Sequence, residues 1–249
     1  MTKHAVGMGY DAPRAYEQLI APRYAPIAEA LVAAAKPKKT DQALELGAGT
    51  GLLTRLTVGR VKSLVATDVS TEMLSVAKRR ARGATIATLD YSEPFPFDDA
   101  SFDLVLSCLT YAQESTATVT EVARVLKPGG RFAVAQWGNG YLEQRLLSET
   151  RREFLGKPYP SPAPGRQARR LEHAGFSIER LDFRLEPEFA SVDDYITYRR
   201  GFGVPLGATP AYYDRFLKVL ARNARDAAEL DGRLLLGWCH TILVGTLPR

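Results

Sequence analysis

The chain has 249 residues, 45% of them hydrophobic and 24% charged, and these proportions exclude a disordered chain or a coiled coil. A chain of this length buries enough apolar surface to fold without disulfides. Lys and Arg outnumber Asp and Glu by 33 to 28, and this mild excess is scattered along the sequence. Cys108 and Cys239 both lie in apolar runs, which favours reduced core cysteines of a cytoplasmic protein over a metal or redox pair. We therefore expect no metal site.

Neither end of the chain predicts export or a membrane span. The first ten residues contain Lys3 and His4 but no apolar stretch, so they do not resemble a secretory signal. The most apolar segment, Leu234 to Leu247, is shorter than the roughly 20 residues that a membrane-spanning helix needs. We interpret it as a buried strand and expect no membrane partner.

Short apolar runs alternate with helix-like segments through the centre of the chain, which predicts a βαβαβ order and hence a parallel sheet. Proline and glycine in Lys127–Gly130 are expected to stop the helix that precedes the last run. The runs are rich in Val, Leu, Ile and Phe, which is typical of strands buried on both faces. They are Gln42–Leu46, Ser63–Asp68, Ala84–Leu89, Phe102–Cys108 and Arg131–Gln136.

The flanking parts are predicted to be mainly helical. Ala12–Ala35 has helical spacing, with breaks expected at Pro22 and Pro26. Further strands are predicted at Phe176–Leu185 and in the tail from Leu235, which brings the total to seven. The remaining predicted helices are Tyr141–Leu155, Gln167–Ala174, Val192–Gly201 and Pro210–Leu230.

The sharpest local signal is Ala43–Gly51, in which a strand runs into the alternate glycines Gly47, Gly49 and Gly51 and then into a helix starting near Leu52. Alternate glycines let the backbone pass close to a ligand, and free N–H groups at the helix start favour polar groups. A turn without a ligand is the alternative, but glycines without a function would cost conformational entropy. The segment therefore predicts a nucleotide-like ligand.

The glycine spacing separates two ligand classes. The dinucleotide fingerprint is G-x-G-x-x-G, whereas this chain reads G-x-G-x-G and carries Glu45 two residues before the first glycine. A carboxylate there would repel a pyrophosphate. It suits a ligand with a cationic end, such as the ammonium and sulfonium of S-adenosylmethionine.

Two acidic positions follow the next two predicted strands. Asp68 comes 17 residues after Gly51, near the roughly 20-residue offset of the acid that binds a ribose in dinucleotide folds. The alternative for Asp68 is an N-cap, although Ser70 is better placed for that. Asp90 would accept a hydrogen bond from an adenine amine while Tyr91 flanks the ring, and the alternative for Asp90 is a turn former.

With these segments in order, the sequence resembles the class I S-adenosylmethionine-dependent methyltransferases, in particular the small-molecule branch related to quinone and natural-product methyltransferases. The resemblance covers about Tyr10–Trp137. It implies an α/β, Rossmann-like fold whose seven-stranded, mostly parallel sheet is flanked by helices and has an antiparallel last strand. It rests on Ala43–Gly51, Thr67–Ser70 with Met73, Leu89–Asp90 before Pro94–Phe97, Ser101–Val105 and Arg124–Gly130.

The resemblance also implies roles for individual residues toward S-adenosylmethionine and its product S-adenosylhomocysteine. The glycine loop would hold the methionine part, Asp68 the ribose, and Asp90 and Tyr91 the edge of the base. Val69 or Met73 would contact one adenine face, and Ser107 and Leu109 would face the methionine part and the substrate. The implied cofactor-binding residues are Glu45, Gly47, Ala48, Gly49, Gly51, Asp68, Val69, Met73, Asp90, Tyr91 and Ser107.

By the same resemblance the chain divides into an N-terminal helical lid (1–39), a cofactor-binding core (40–137) and a C-terminal part (138–249) that completes the sheet and carries a helical lid insert at about 191–230. The lid would bring Tyr10, Tyr16 and Tyr24 to the substrate. The alternative for Tyr10 and Tyr16 is that they are ordinary residues of an amphipathic helix.

The expected reaction is methyl transfer to a small organic acceptor at an O, N or C atom, driven mainly by positioning for in-line displacement. A base is needed only for a weakly acidic acceptor. Tyr111, after the fourth strand, is a candidate substrate contact or proton acceptor, and its alternative is core packing. His240 is a second catalytic candidate whose alternative is a hydrogen-bonded core residue.

Two other function classes stay open. Basic residues suggest modification of tRNA or other RNA, although such runs are more often solvated faces and no zinc or RNA-binding module accompanies them. They are Lys36–Lys39, Arg151, Arg152, Arg166, Arg169 and Arg170. The second is a methyltransferase-like protein that binds the cofactor and acts as a cyclase or scaffold.

Overall fold

The computed structural model describes residues 13–110, 115–138, 142–158, 164–204 and 208–249. The strands in these ranges are β1 (Gln42–Leu46), β2 (Ser63–Asp68), β3 (Thr85–Thr88), β4 (Phe102–Cys108), β5 (Leu126–Trp137), β6 (Ser177–Leu185), β7 (Glu188–Phe189), β8 (Leu234–Leu235) and β9 (Trp238–Thr246). The helices are α1 (Pro13–Leu19), α2 (Ala21–Ala35), α3 (Leu52–Thr57), α4 (Thr71–Arg80), α5 (Thr116–Val125), α6 (Leu142–Leu155), α7 (Pro164–His173), α8 (Val192–Arg200) and α9 (Pro210–Arg225).

The chain forms two compact units. The first, which we call the sheet unit, consists of the described parts of Tyr24–Trp137, Ala163–Asp182 and Thr241–Arg249. The second, the helical unit, consists of the described parts of Met1–Arg23, Gly138–Pro162 and Phe183–His240.

One sheet has seven strands in the order β3-β2-β1-β4-β5-β9-β6, and β1 to β5 pair in parallel. The last strand, β9, is antiparallel to β5. Hydrogen bonds from Gly129 N to Pro248 O and from Leu247 N to Gly130 O show this reversal, because one partner's number rises as the other's falls. The predicted fold class is therefore confirmed.

The central strands form because both of their faces are buried. Leu44 on β1, Leu104 and Val105 on β4, and Phe132 on β5 are all 0% exposed. A parallel strand between two helical layers has no solvent face, so its sequence reads as an apolar run. Because β1 pairs in parallel with β2 and with β4, the carboxyl ends of these three strands lie at one edge of the sheet.

Prolines and glycines act differently from the prediction in two places. Helix α2 continues through Pro26, and the interruption of the N-terminal helix falls at Ile20 instead. Helix α5 ends at Val125, before Lys127–Gly130, as predicted, but strand β5 already begins at Leu126, so Lys127–Gly130 belongs to the strand. Gly129 has φ 74° and pairs with Pro248, which lets the strand bend without leaving the sheet.

Two boundaries near the C-terminus also differ. Helix α9 ends at Arg225, five residues before the predicted Leu230. The predicted tail strand is two strands, since β8 pairs antiparallel with β7 and only β9 joins the large sheet.

A salt-bridge network holds the loop that precedes β4. Glu121 on α5 accepts from the main-chain N–H of Phe95 at 2.7 Å, and Arg124 donates to the carbonyls of Phe95 and Phe97 at 3.0 and 2.8 Å. Arg124 also pairs with Glu121 at 2.8 Å, and this pairing lowers the pKa of the Glu121 carboxyl. The Pro94–Phe97 motif is therefore in direct contact with Arg124, and Arg124 and Glu121 together hold it in place.

The helical unit has its own core of aromatic side chains. Phe189, Tyr195, Tyr198 and Trp238 are each at most 1% exposed, and the Phe189 and Tyr195 rings are 5.3 Å apart. Of the helices within the described ranges, none is long and apolar enough to cross a bilayer.

Candidate cofactor site at the ends of the central strands

The predicted cofactor residues lie where β1, β2 and β4 end. In the strand order β3-β2-β1-β4, the chain first places β2 and β3 on one side of β1 and then places β4 on its other side. Parallel sheets bind ligands at such a point, outside the carboxyl ends of the strands. The register brings Leu46 of β1 level with Thr67 of β2 and Ser107 of β4. The residues that follow each of these three are therefore neighbours.

The three glycines of the loop after β1 have positive φ, at 73° for Gly47, 54° for Gly49 and 87° for Gly51. A Cβ on Gly47 would overlap the side chain of Thr110, and a Cβ on Gly51 would lie 3.1 Å from the Cα of Ala77. A Cβ on Gly49 would meet no atom within 4 Å. The loop is thus packed at both ends and open at its middle glycine.

Asp68 anchors this loop from the neighbouring strand. The N–H of Gly49 donates to Oδ2 of Asp68 at 2.8 Å, and the N–H of Ser70 donates to Oδ1 at 2.9 Å. Burial raises the pKa of the Asp68 carboxyl, while these two N–H groups and that of Val69 oppose the rise. Each carboxylate oxygen has a second lone pair, so Asp68 keeps the capacity to accept from a ligand hydroxyl.

The N-cap alternative for Asp68 belongs to its neighbour, as the sequence suggested. The hydroxyl of Ser70 accepts from the N–H of Met73 at 3.2 Å and caps α4. Basic residues fill the last turn of α4, where they complement the helix dipole.

Glu45 is a buried acid beneath the glycine loop. It is 1% exposed, and its Oε2 has no hydrogen-bond partner among the described residues. Burial raises the pKa of its carboxyl to about 7, hydrogen bonding from Thr54 opposes the rise, and the charge of Asp68 adds to it. An acid held in this way gains strongly from a cation placed beside it.

The residues predicted on the adenine side differ in exposure. Val69, which directly follows Asp68, is 50% exposed. Met73, on α4, is buried, with 2% of its surface exposed. Of these two, only Val69 presents a surface in this structure.

Asp90 and Tyr91 form the turn after β3. Oδ1 of Asp90 accepts from the N–H of Ser92 at 2.9 Å and from its hydroxyl at 2.7 Å, which is the local bonding of a turn former. The carbonyl of Tyr91 accepts from the hydroxyl of Thr118 at 2.9 Å, so helix α5 holds this turn.

Ser107 is fully buried, and its hydroxyl bonds inside the protein. It donates to the carbonyl of Leu46 at 3.1 Å and lies 2.5 Å from the hydroxyl of Thr110. Thr110 in turn fills the space beside Gly47. Thr110 was not among the predicted site residues, and its position just after the fourth strand is the only sign of its role in the sequence.

Three of the predicted substrate and catalytic residues, Tyr16, Tyr24 and His240, lie in the described ranges. Tyr10 and Tyr111 lie outside the described residues. Tyr16 lies on α1 and is partly exposed, and the buried Tyr24 of α2 packs edge-on to Trp137 at 5.9 Å between ring centroids. His240 is 1% exposed with its ring 5.4 Å from that of Phe183, as the core alternative requires.

Comparison with known proteins identifies the class. Residues 44–134, from β1 to the interior of β5, match the family described as "Methyltransferase domain". This segment carries every cofactor position named above. Residues 44–134 therefore match a methyltransferase domain, and the resemblance of the sequence to the class I S-adenosylmethionine-dependent methyltransferases is confirmed.

Two of the curated relatives match about two fifths of the chain. An uncharacterised methyltransferase of Mycobacterium tuberculosis is 43% identical over 99 residues, which is 39% of this chain and 40% of that protein. A ubiquinone/menaquinone biosynthesis C-methyltransferase of Xylella fastidiosa is 38% identical over 117 residues, 43% of this chain and 46% of that protein. The matched segment thus spans less than half of each relative's length.

Solved structures share the fold over most of the chain. The YcgJ protein of Bacillus subtilis has a TM-score of 0.65 at 16% identity and covers 90% of this chain and 99% of its own. Phosphoethanolamine N-methyltransferase 2 of Haemonchus contortus, solved with S-adenosyl-L-methionine, has a TM-score of 0.62 at 20% identity over 97% of this chain and 58% of its own. The [4+2]-cyclase SpnF has a TM-score of 0.58 at 16% identity, covering 90% and 80%.

Proposed function

We propose that this protein is an S-adenosylmethionine-dependent methyltransferase that acts on a small organic acceptor. The observation that carries the proposal is the buried, unpaired oxygen of Glu45 beneath a glycine loop whose middle residue faces open space. An unpaired buried carboxylate is costly, and a ligand with a cationic end would offset that cost.

The residues present fit this cofactor. Glu45 would face its cationic end, Asp68 would accept from the ribose, and exposed Val69 would lie along the base. The packed ends of the glycine loop fix its backbone, because Thr110 and Ala77 leave no room beside Gly47 and Gly51. A loop held in its binding shape loses little further entropy when a ligand arrives.

When bound, S-adenosylmethionine supplies a methyl group on a positive sulfur, which leaves as a neutral thioether and needs no acid. The contribution of the protein is therefore to hold donor and acceptor in line and to exclude water. The buried environment at the ends of β1 and β4 serves both purposes.

A small acceptor is favoured because the similar Xylella protein is named as a quinone-biosynthesis C-methyltransferase. The acidic groups Glu45, Asp68 and Asp90 at this sheet edge disfavour a polyanionic nucleic acid. The same proposal covers methyl transfer to an O, N or C atom. In it Tyr10, Tyr16 and Tyr24 would contact the substrate, and Tyr111 would contact the substrate or accept its proton.

Calorimetric titration with S-adenosylmethionine and with S-adenosylhomocysteine tests cofactor binding. Val69→Lys is the informative variant, because the side chain is half exposed and its replacement leaves the core intact. We expect Val69→Lys to weaken binding at least about tenfold, because the apolar contact with the base is lost. Asp98→Lys, an exposed position on the loop before β4, is the matched control and should bind as the wild type does.

Absence of binding to the wild type would overturn the proposal. A screen for transfer of a labelled methyl group to small molecules and to tRNA then separates the remaining classes. Label in small molecules supports the proposal, and label in tRNA alone assigns an RNA substrate. Binding without transfer to either pool assigns a cyclase or scaffold.

A further inference from the structure

Gln136, near the end of β5, carries a buried carboxamide without a partner. The residue is 2% exposed, and neither its Oε1 nor its Nε2 has a hydrogen-bond partner among the described residues. Burying an amide without replacing its hydrogen bonds to water is costly, and such groups are rare in native proteins. The carboxamide of Gln136 therefore does not stabilise the folded state.

The position of Gln136 connects it with the candidate site. Ala135 pairs with Cys108 of β4, and its carbonyl accepts from the N–H of Leu109 at 2.9 Å. Gln136 is therefore level with the turn formed by Leu109 and Thr110, and Thr110 packs beside Gly47 of the glycine loop.

The polar side chains on the neighbouring strands are already engaged. The hydroxyl of Ser107 bonds to Leu46 and to Thr110. On β9, the register set by the Gly129–Pro248 and Gly130–Leu247 bonds places Thr241 opposite Gln136. The Thr241 hydroxyl donates to Asp182 at 2.5 Å.

We propose that Gln136 hydrogen-bonds a neutral hydroxyl group of the methyl acceptor and so selects and orients it. This inference rests on the proposed function. A carboxamide offers an N–H donor and a C=O acceptor, and a hydroxyl can use both. A carboxylate or an ammonium would use only one of them and would bring a charge that this side chain does not neutralise. Gln136 is a positioning residue, since it holds the acceptor and transfers no proton.

The first test is thermal unfolding without any ligand. Gln136→Met replaces the carboxamide by an apolar group of similar size, so the midpoint temperature should equal or exceed that of the wild type. Thr241→Val is the matched control on the adjacent strand. It removes a hydroxyl that does have a partner and should lower the midpoint temperature.

The second test is binding of a hydroxylated probe. With the protein saturated by S-adenosylhomocysteine, phenol and its methyl ether anisole are titrated calorimetrically. We expect the wild type to bind phenol more tightly than anisole and Gln136→Met to weaken phenol at least about tenfold while leaving anisole unchanged. The affinity for S-adenosylhomocysteine should not change, because the cofactor is held by other residues.

Two results would overturn this role for Gln136. One is a midpoint temperature of Gln136→Met as low as that of Thr241→Val, which would make the carboxamide structural. The other is a phenol affinity that is undetectable in the wild type or equal in both proteins. Failure of the wild type to bind S-adenosylhomocysteine would instead overturn the proposed function, and the unfolding test does not depend on it.

Discussion

The main-chain N–H of Gly49 donates to Oδ2 of Asp68 at 2.8 Å, which joins the middle of the glycine loop to the end of the next strand. The two residues are 19 positions apart in sequence. The carboxylate thus shapes the loop and also faces the position where a ribose is proposed. A substitution at Asp68 must affect both roles.

Asp68→Asn should therefore lower both thermal stability and cofactor affinity. An asparagine keeps one oxygen, so its NH₂ group must face the N–H of either Gly49 or Ser70 and one donor loses its partner. We expect a loss of about 1 to 3 kcal/mol in the free energy of unfolding. Denaturant unfolding and calorimetry with S-adenosylhomocysteine measure the two effects. An unchanged unfolding midpoint would contradict the anchoring role.

Gly47 and Gly49 give a matched pair of backbone tests. Alanine at either position must adopt positive φ, which costs about 1 to 2 kcal/mol. Gly47→Ala also overlaps Thr110, which adds about 1 to 3 kcal/mol, whereas Gly49→Ala meets open space. Gly47→Ala should therefore be the less stable protein in denaturant unfolding.

Thr110→Ser supplies the control for that pair. It removes the methyl group that a Cβ on Gly47 would overlap and keeps the hydroxyl that bonds Ser107. Adding it to Gly47→Ala should recover part of the lost stability, while adding it to Gly49→Ala should recover none. Equal effects on both backgrounds would show that Thr110 does not set the shape of the loop.

The raised pKa of Glu45 should make the stability of the protein depend on pH. Its pKa is about 7 in the folded protein against 4.5 for the free side chain, so the folded state binds more protons between these values. The free energy of unfolding should fall by about 3 kcal/mol as the pH rises from 4.5 to above 7. Glu45→Gln should remove this part of the dependence, and unfolding at pH 5 and pH 8 compares the two proteins.

The same carboxyl predicts how cofactor binding depends on pH. A cation beside Glu45 lowers its pKa, so binding should release a proton near pH 7 and tighten as the pH rises through 7. Calorimetry of the wild type in buffers of different ionisation enthalpy measures the released proton. Proton release that persists in Glu45→Gln would assign it to another group.

The buried ion pair of the helical unit offers a test that is independent of the site. Arg199 donates to Glu143 at 3.2 Å, Tyr195 donates to the same oxygen, and burial raises the pKa of the Glu143 carboxyl. Arg199→Met leaves that carboxylate without its cation and should cost about 3 to 5 kcal/mol, with Glu143→Leu added recovering much of the loss. Arg200→Met, in an exposed pair with Asp214, should cost less than about 1 kcal/mol.

The sequence alone determined the strands that are buried on both faces. The bounds of β1, β2 and β4 were predicted to the residue, because two-sided burial leaves short, mostly apolar runs. The sequence also predicted the glycine loop and the order of the acidic residues that follow the strands, because both can be read from residues that lie close together along the chain. The start of β5 was predicted at Arg131, because Lys127–Gly130 contains proline and glycine. It lies at Leu126, because pairing with the distant residues Leu247 and Pro248 outweighs this local preference.

The tertiary structure decided which polar groups are satisfied and which are left without partners. Ser107 and Thr241 find partners on other strands and Asp68 finds one in the glycine loop, whereas Glu45 and Gln136 keep unpaired atoms in the interior. Nothing in the local sequence distinguishes these two groups. Ser107 and its partner Leu46, 61 positions apart, become neighbours only when the sheet assembles, and the same assembly leaves the side chains of Glu45 and Gln136 with atoms that a ligand could satisfy.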